Sequence, residues 1–158
     1  LVVDLAALEL LDEIEDTRRL LEERRISLKD KKTLLVANKL DQPGSPDNFT
    51  ALQELFAAEF SMLAVSAESG EGLDALRRAV FDLMGVVRVY TKAPGKTAEG
   101  APYVLRRGST ALDVACHVHK DFAQRLKYAR VWGHSRFEGQ MVDRHYVVED
   151  RDVIEFHV

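Results

Sequence analysis

An amide, an amine and a carboxylate stand together at Asn38, Lys39 and Asp41, directly after the apolar run Thr33-Leu34-Leu35-Val36-Ala37. The run predicts a buried strand that delivers these polar groups to its carboxyl end. In open α/β sheets ligands bind in the crevice outside the carboxyl ends of the strands, so a ligand is expected there. The pattern Asn-Lys-x-Asp suits the edge of guanine. Its N1–H and exocyclic N2 amine lie side by side as donors, and an ionised Asp41 accepts both in one bidentate contact. Adenine presents no such pair, and a site built around polar partners rejects an analogue lacking them by about 10⁴-fold or more. Asp41 would set base identity. Asn38 would bond N7 or O6 and brace neighbouring loops, while the aliphatic stem of Lys39 would lie along the purine face.

A second apolar run, Met62-Leu63-Ala64-Val65, leads into Ser66-Ala67-Glu68 and then Gly70 and Gly72, which open a helix. A backbone N–H near Ala67 would donate to guanine O6, and the small residues Ser66 and Ala67 allow the main chain close to the base. Three fixed letters arise by chance in roughly a few per cent of chains this long, so the second strand–loop–helix unit supplies the context that the motif needs.

The two motifs in this order resemble the fourth and fifth guanine-recognition motifs of P-loop GTPases, Asn-Lys-x-Asp and Ser-Ala-Lys. The chain departs at Glu68, where the family carries a lysine whose stem covers the ribose side of the base. The resemblance implies GTP or GDP as ligand and Asn38, Lys39, Asp41, Ser66, Ala67 and Glu68 as the nucleotide-binding set. It implies Mg2+ in the intact parent only.

The chain has 158 residues, room for two small domains, and its charge divides accordingly. Residues 1–85 carry a balance of −7 and residues 86–158 a balance of +3, with all five histidines in the second part. Contact with a polyanion is expected there rather than in the acidic first part. A single cysteine, Cys116, excludes an internal disulfide framework, and no apolar run approaches the roughly 18 residues of a membrane helix. No membrane contact and a cytoplasmic location are expected. The opening Leu1-Val2-Val3-Asp4 reads as a strand already under way, which suggests a piece of a longer protein.

Helical spacing of Leu10, Ile14, Thr17 and Leu21 predicts a helix within Leu5 to Arg25, with Glu15 paired to Arg19. Asp30-Lys31-Lys32 leads into the organising strand. Ser45-Pro46 predicts an N-cap with proline following, and Phe49, Leu52, Phe56 and Phe60 a core stripe. After Gly72 the stripe is Leu73, Leu76, Val80 and Met84, closed by Gly85. Strands alternating with helices imply a parallel α/β sheet.

From Val86 the texture changes. Strands are expected at 86–91, 103–106, 129–132, 145–148 and 153–158, and one helix from Thr110 through Phe122. Thr110 to Ala115, Val118-His119-Lys120, Lys127 to Gly133 and Val148 to Ile154 resemble a TGS domain, a small α+β module of β-grasp fold. Guanine motifs followed directly by this module resemble the carboxyl half of an Obg-related GTPase of the developmentally regulated GTP-binding protein type. The fold expected is therefore the C-terminal part of a GTPase domain over residues 1–85, then a TGS domain over 86–158. The resemblance implies a regulatory protein of translation or the ribosome.

Three other patterns fail. Gly95-Lys96-Thr97 ends like a phosphate loop, but its spacing is wrong and Gly100-Ala101-Pro102 forbids the helix that must follow. Asp82-Leu83-Met84-Gly85 closes a helix and cannot sense a phosphate. Cys116, His117 and His119 lack a second ligand pair. Without a phosphate loop, magnesium-binding residues or switches, these residues are expected to bind a base and not to hydrolyse GTP. A different reading makes residues 86–158 the working part, contacting RNA or a partner protein over a vestigial scaffold. Lys120, Arg125, Lys127, Arg130 and Arg136 would supply the cations, Tyr128 and Trp132 the stacking surface, although the apolar strand before Trp132 favours a core position.

Overall fold

A computed structural model describes residues 1–28, 31–98, 100–134 and 137–158, so Asp30 and Arg136 lie outside the described residues. The chain divides into two compact units, Leu1–Met84 and Gly85–Val158. In the first, β1 (Val2–Asp4), β2 (Leu34–Asn38) and β3 (Ser61–Ala64) form a parallel sheet in that order. Parallel neighbours require crossovers, supplied by α1 (Leu10–Glu23) and α2 (Ser45–Phe56), and α3 (Leu73–Met84) follows β3.

Alternation along β2 assigns the faces. Leu35 and Ala37 are buried with Val3, Leu5, Leu10, Ile14, Leu52 and Phe60 in one apolar cluster. Leu34 and Val36 turn to the opposite face, where Val2 pairs beside Val36 and α3 brings Val80 and Leu83. The sequence predicts α3 to bury its whole apolar stripe. Instead no α3 residue is fully buried, and Val80 and Met84 are exposed.

Local bonds set the helix limits. Asp4 Oδ1 accepts from the Ala6 N–H at 2.9 Å and Asp4 O from Ala7 N–H at 3.2 Å, a turn that delays α1 to Leu10. Arg18 pairs with Glu15 at 3.1 Å and Arg19 with Asp16 at 2.7 Å, three residues back, in place of the expected Glu15–Arg19 pair. At α2, Gly44 is the N-cap, left-handed at φ 81°, and Ser45 is already helical. Among the described residues its wholly buried Oγ has no hydrogen-bond partner, so the capping role expected of Ser45 does not hold.

The second unit is a mixed sheet in the order β5-β4-β8-β6-β7, built from β4 (Val86–Thr91), β5 (Tyr103–Arg106), β6 (Tyr128–Trp132), β7 (Gln140–Val142) and β8 (Val153–His157). β4 and β8 run parallel and the other neighbours antiparallel. Two short helices, α4 (Ala111–Val118) and α5 (Lys120–Arg125), follow β5. Val87, Val89, Leu105, Val114, Ala129, Val131, Ile154 and Phe156 form the core. Thr110 and Asp113 make a reciprocal capping box at the start of α4.

The single helix expected through Phe122 is broken at His119. That residue is extended at φ −167°, and its Nδ1 accepts from Asp121 N–H at 3.2 Å to cap α5. The strand expected at 145–148 is reduced to a single antiparallel bridge, Val147 opposite Thr110. Its backbone serves α4 instead, with Tyr146 O accepting from Ala111 N–H at 2.9 Å and Val148 N–H donating to Ser109 O at 3.0 Å. Asp152 is wholly buried and holds the neighbouring loops: it accepts from the N–H groups of His134 and Glu149, each at 3.0 Å, and from the Tyr146 hydroxyl at 3.3 Å. Burial, with the Asp152 charge beside it, pushes the Tyr146 hydroxyl up to about 12.

Candidate functional site

The carboxyl ends of β1 and β2 and the loop after β3 converge on an open cavity of about 280 Å³ lined by Ala6, Asn38, Lys39, Asp41, Gln42, Ala67 and Glu68. Parallel pairing brings them there: Asp4 stands opposite Asn38, and Ala37 opposite Ala64. The β2–β3 ladder runs on past the strands, with Val65 N–H donating to Ala37 O at 2.8 Å and Leu40 N–H to Val65 O at 3.0 Å. Between these bonds Lys39 takes a left-handed backbone, φ 67°, rare outside glycine.

Asp41 is the best-organised group of the site. Its Oδ1 accepts from Ser66 Oγ at 2.5 Å and its Oδ2 from Gln42 Nε2 at 2.7 Å. These bonds, the Ser66 hydroxyl first, hold its carboxyl below the usual carboxylate range. Ionised, each oxygen keeps lone-pair capacity for a further donor. Ser66 is wholly buried, beneath the cavity rather than on its wall, and its Oγ also accepts from Ser69 N–H at 3.0 Å. The turn closes through Gly70 N–H to Ser66 O at 2.9 Å and Ser66 N–H to Glu71 O at 2.9 Å. Gly72 seats it: φ is +76°, and a Cβ there would lie 2.6 Å from Ala64 O.

Asn38 braces this loop, its Oδ1 accepting from the Ala67 N–H at 3.0 Å. That bond occupies the N–H expected to donate to guanine O6, while the exposed Glu68 N–H has no partner among the described residues. Lys39 Nζ is pinned to Asp4 Oδ2 at 2.6 Å, which raises the lysine and lowers the aspartate from their ordinary values. The Glu68 side chain is exposed. Asp4, Ala6 and Gln42 join the site without having been read from the sequence. The rule that marks a polar residue at a strand's carboxyl end applies to Asp4 as well.

The donor set suits guanine. Asp41 offers an ionised, oriented acceptor for N1–H and the N2 amine, and Asn38 Nδ2 remains a donor beside it. Among the described residues no group of three or more His, Cys, Asp or Glu could hold a metal ion. His117 Nδ1 lies 2.9 Å from Asp113 O and His119 Nδ1 caps α5. Gly95-Lys96 sits in a turn closed by Lys96 N–H to Ala93 O at 3.0 Å, and the next element is β5.

Among the described residues of the second unit, Lys120 and Arg125 lie on α5 and Arg130 on β6. Arg130 lies on β6 with Tyr128 and Trp132, on the sheet face opposite the core. Lys120 and Arg125 belong to α5, whose Phe122 packs on the core residue Phe156 with ring centroids 6.1 Å apart. Trp132 is half-buried outside the core cluster, with Lys92 Nζ 3.4 Å from its ring centroid. Tyr128 stacks on His157 at 4.4 Å.

Residues 87–158 match the model of the TGS domain family. The second unit is a TGS domain. An uncharacterized GTP-binding protein of Methanocaldococcus jannaschii is 33% identical over 124 residues, covering 77% of this chain and 32% of that protein. A developmentally regulated GTP-binding protein 2 homolog of Dictyostelium discoideum is 30% identical over 149 residues, 93% of this chain and 37% of its own length. The chain thus spans about a third of the curated relatives it matches. A GTP-binding protein of Pyrococcus horikoshii shares the fold at a TM-score of 0.60 and 19% identity, over 78% of this chain and 45% of that one. The YchF GTPase of Schizosaccharomyces pombe does so at 0.55 and 10%, over 96% and 57%. The likeness to the carboxyl half of a GTP-binding protein of the developmentally regulated type, ending in a TGS domain, is borne out, as is the expected α/β fold followed by a β-grasp module. No helix among the described residues is long and apolar enough to cross a membrane.

Proposed function

We propose that residues 1–85 recognise the guanine base of GTP or GDP for a cytoplasmic regulatory GTPase, and that residues 86–158 carry its contact with the ribosome, RNA or a regulatory protein. One observation carries the first part: Asp41, ionised and fixed by the buried Ser66 hydroxyl, lines a cavity with Asn38, Lys39, Ala67 and Glu68. Asp41 selects the base and Asn38 holds the loop that borders it. The Lys39 stem covers the purine, with Nζ anchored to Asp4. The relatives named as GTP-binding proteins support this reading.

Hydrolysis, with Mg2+ at the phosphates, is proposed for a protein of the relatives' full length. Phosphoryl transfer needs a phosphate cradle and metal charge that the motifs of these 158 residues do not spell out. Titration calorimetry with GDP and ADP tests the base reading. Selective binding of GDP by a full-length protein, with weak binding by this chain, is the expected result. Equal binding of the two by the full-length protein contradicts it and leaves the TGS domain as the working part.

The outward face of the TGS sheet, with Tyr128, Arg130 and Trp132, supports the second part. Ribosome association that weakens steeply with salt would favour a phosphate contact, and salt-insensitive association a protein one.

A further inference from the structure

Lys39 is held at both ends. Its backbone has a left-handed φ of 67° and sits between two ladder bonds, Leu5 N–H to Asn38 O and Leu40 N–H to Val65 O, each at 3.0 Å. Its far end, Nζ, meets Asp4 Oδ2 at 2.6 Å. The other oxygen of the same carboxylate, Oδ1, accepts from the Ala6 N–H at 2.9 Å, and Ala6 is a second wall of the base cavity. Asp4 is placed in turn by the β1–β2 ladder, which sets it opposite Asn38. One carboxylate therefore ties together two walls that come from different loops, and it does not itself line the cavity. The charges of Asp41 and Glu13 also favour the ammonium, but Asp4 is the carboxylate bonded to it.

We infer that Asp4 is a positioning residue of the base site: it fixes the Lys39 stem as a floor for the purine ring and takes no part in the choice of base. The inference rests on the guanine reading above, in which that stem covers the purine. A lysine side chain is rich in rotamers, and an unanchored one gives up that freedom when a ring settles on it, whereas an anchored one has given it up already. The stem meets the ring face, which every purine presents, while Asp41 meets the edge at which guanine differs. Face and edge are thus read by different carboxylates, one at second hand and one directly. The side chains of the pair are partly exposed, Lys39 51% and Asp4 35%, so its share of affinity is modest, about fivefold against about 10²-fold for Asp41.

The test is titration calorimetry of GDP, IDP and ADP with the full-length protein, Asp4→Asn, Lys39→Met and the double variant, each with an unchanged circular dichroism spectrum. Asp4→Asn keeps an acceptor for the Ala6 N–H and removes the charge that holds Nζ, while Lys39→Met keeps an apolar stem and removes the ammonium. IDP lacks the N2 amine of guanine, so the ratio of GDP to IDP affinity reads the Asp41 contact. Each single variant is expected to weaken GDP and IDP alike by about fivefold, with that ratio unchanged within about twofold. The double variant should lose no more than about twofold beyond either single one, because both remove the same contact. A loss under about twofold in Asp4→Asn, a loss confined to GDP, or losses that multiply in the double variant would overturn the inference and leave guanine selection standing. Equal binding of GDP and ADP by the unsubstituted protein would overturn it together with the guanine reading.

Discussion

Ser66 Oγ donates to Asp41 Oδ1 at 2.5 Å across 25 residues of sequence, and this bond ties the loop after β3 to the one after β2. The hydroxyl is wholly buried, so it orients the carboxylate without competing for the cavity. Ser66→Ala removes that donor and leaves the Ser69 N–H without its acceptor. GDP affinity of the full-length protein should fall roughly fivefold, the loss of about one hydrogen bond. The Asp41 carboxyl should titrate at higher pH in carbon-detected NMR, because the first cause of its depression is gone.

Gly72 tests the support of the same loop. Alanine there would place a Cβ 2.6 Å from Ala64 O at a φ of +76° and should destabilise the first unit by about 2 kcal/mol or more. Gly70→Ala, at φ +83° with nothing within 4 Å, should lower it by about 1 kcal/mol. Urea denaturation of the two variants checks the order, and an equal loss would refute the steric account.

In the TGS domain Arg88 grips Asp150 through Nε at 3.0 Å and a terminal nitrogen at 2.6 Å, while the Arg88 N–H reaches the same carboxylate at 2.8 Å. The guanidinium bond is the first cause that holds the Asp150 carboxyl below its ordinary value. A carboxyl lowered in the folded state stabilises above its unfolded pKa, about 3.9, and that stability is lost as pH falls through the lower folded value. Asp150→Asn should therefore lower Tm at pH 7, and the gap should narrow below about pH 4. A gap independent of pH would assign the loss to packing.

The α4 cap gives a simpler case. Thr110 Oγ1 accepts from the Asp113 N–H at 3.3 Å, and Asp113 Oδ2 accepts from the Thr110 N–H at 2.7 Å. Thr110→Ala should destabilise by about 1 kcal/mol in urea, and Thr110→Ser by much less.

Much of this architecture was legible because strand-end chemistry and helical spacing are local properties. Asn38, Lys39 and Asp41 follow one apolar run, and five of the six residues expected to bind nucleotide line one cavity, with Ser66 beneath it. Asp4 and Ala6 were missed because parallel pairing, which spacing alone does not encode, brings β1 beside Asn38. Tyr146, Val147 and Val148 have the aromatic and β-branched composition of a strand, yet their backbone is taken by the start of α4. His119 broke a helix that periodicity continued, because a histidine ring can cap as serine does. Trp132 follows an apolar strand but stands on its outward face under Lys92, since the period of two leaves the choice of face to the sheet's partners.

The most direct measurement titrates GDP and XDP into the full-length protein and its Asp41→Asn variant. Xanthine carries a carbonyl at C2 where guanine has an amine, so it accepts from the new amide. The account predicts that the variant loses GDP affinity by about 10² or more and gains preference for XDP. An unchanged preference for GDP would contradict the assignment of Asp41 as the base-selecting residue.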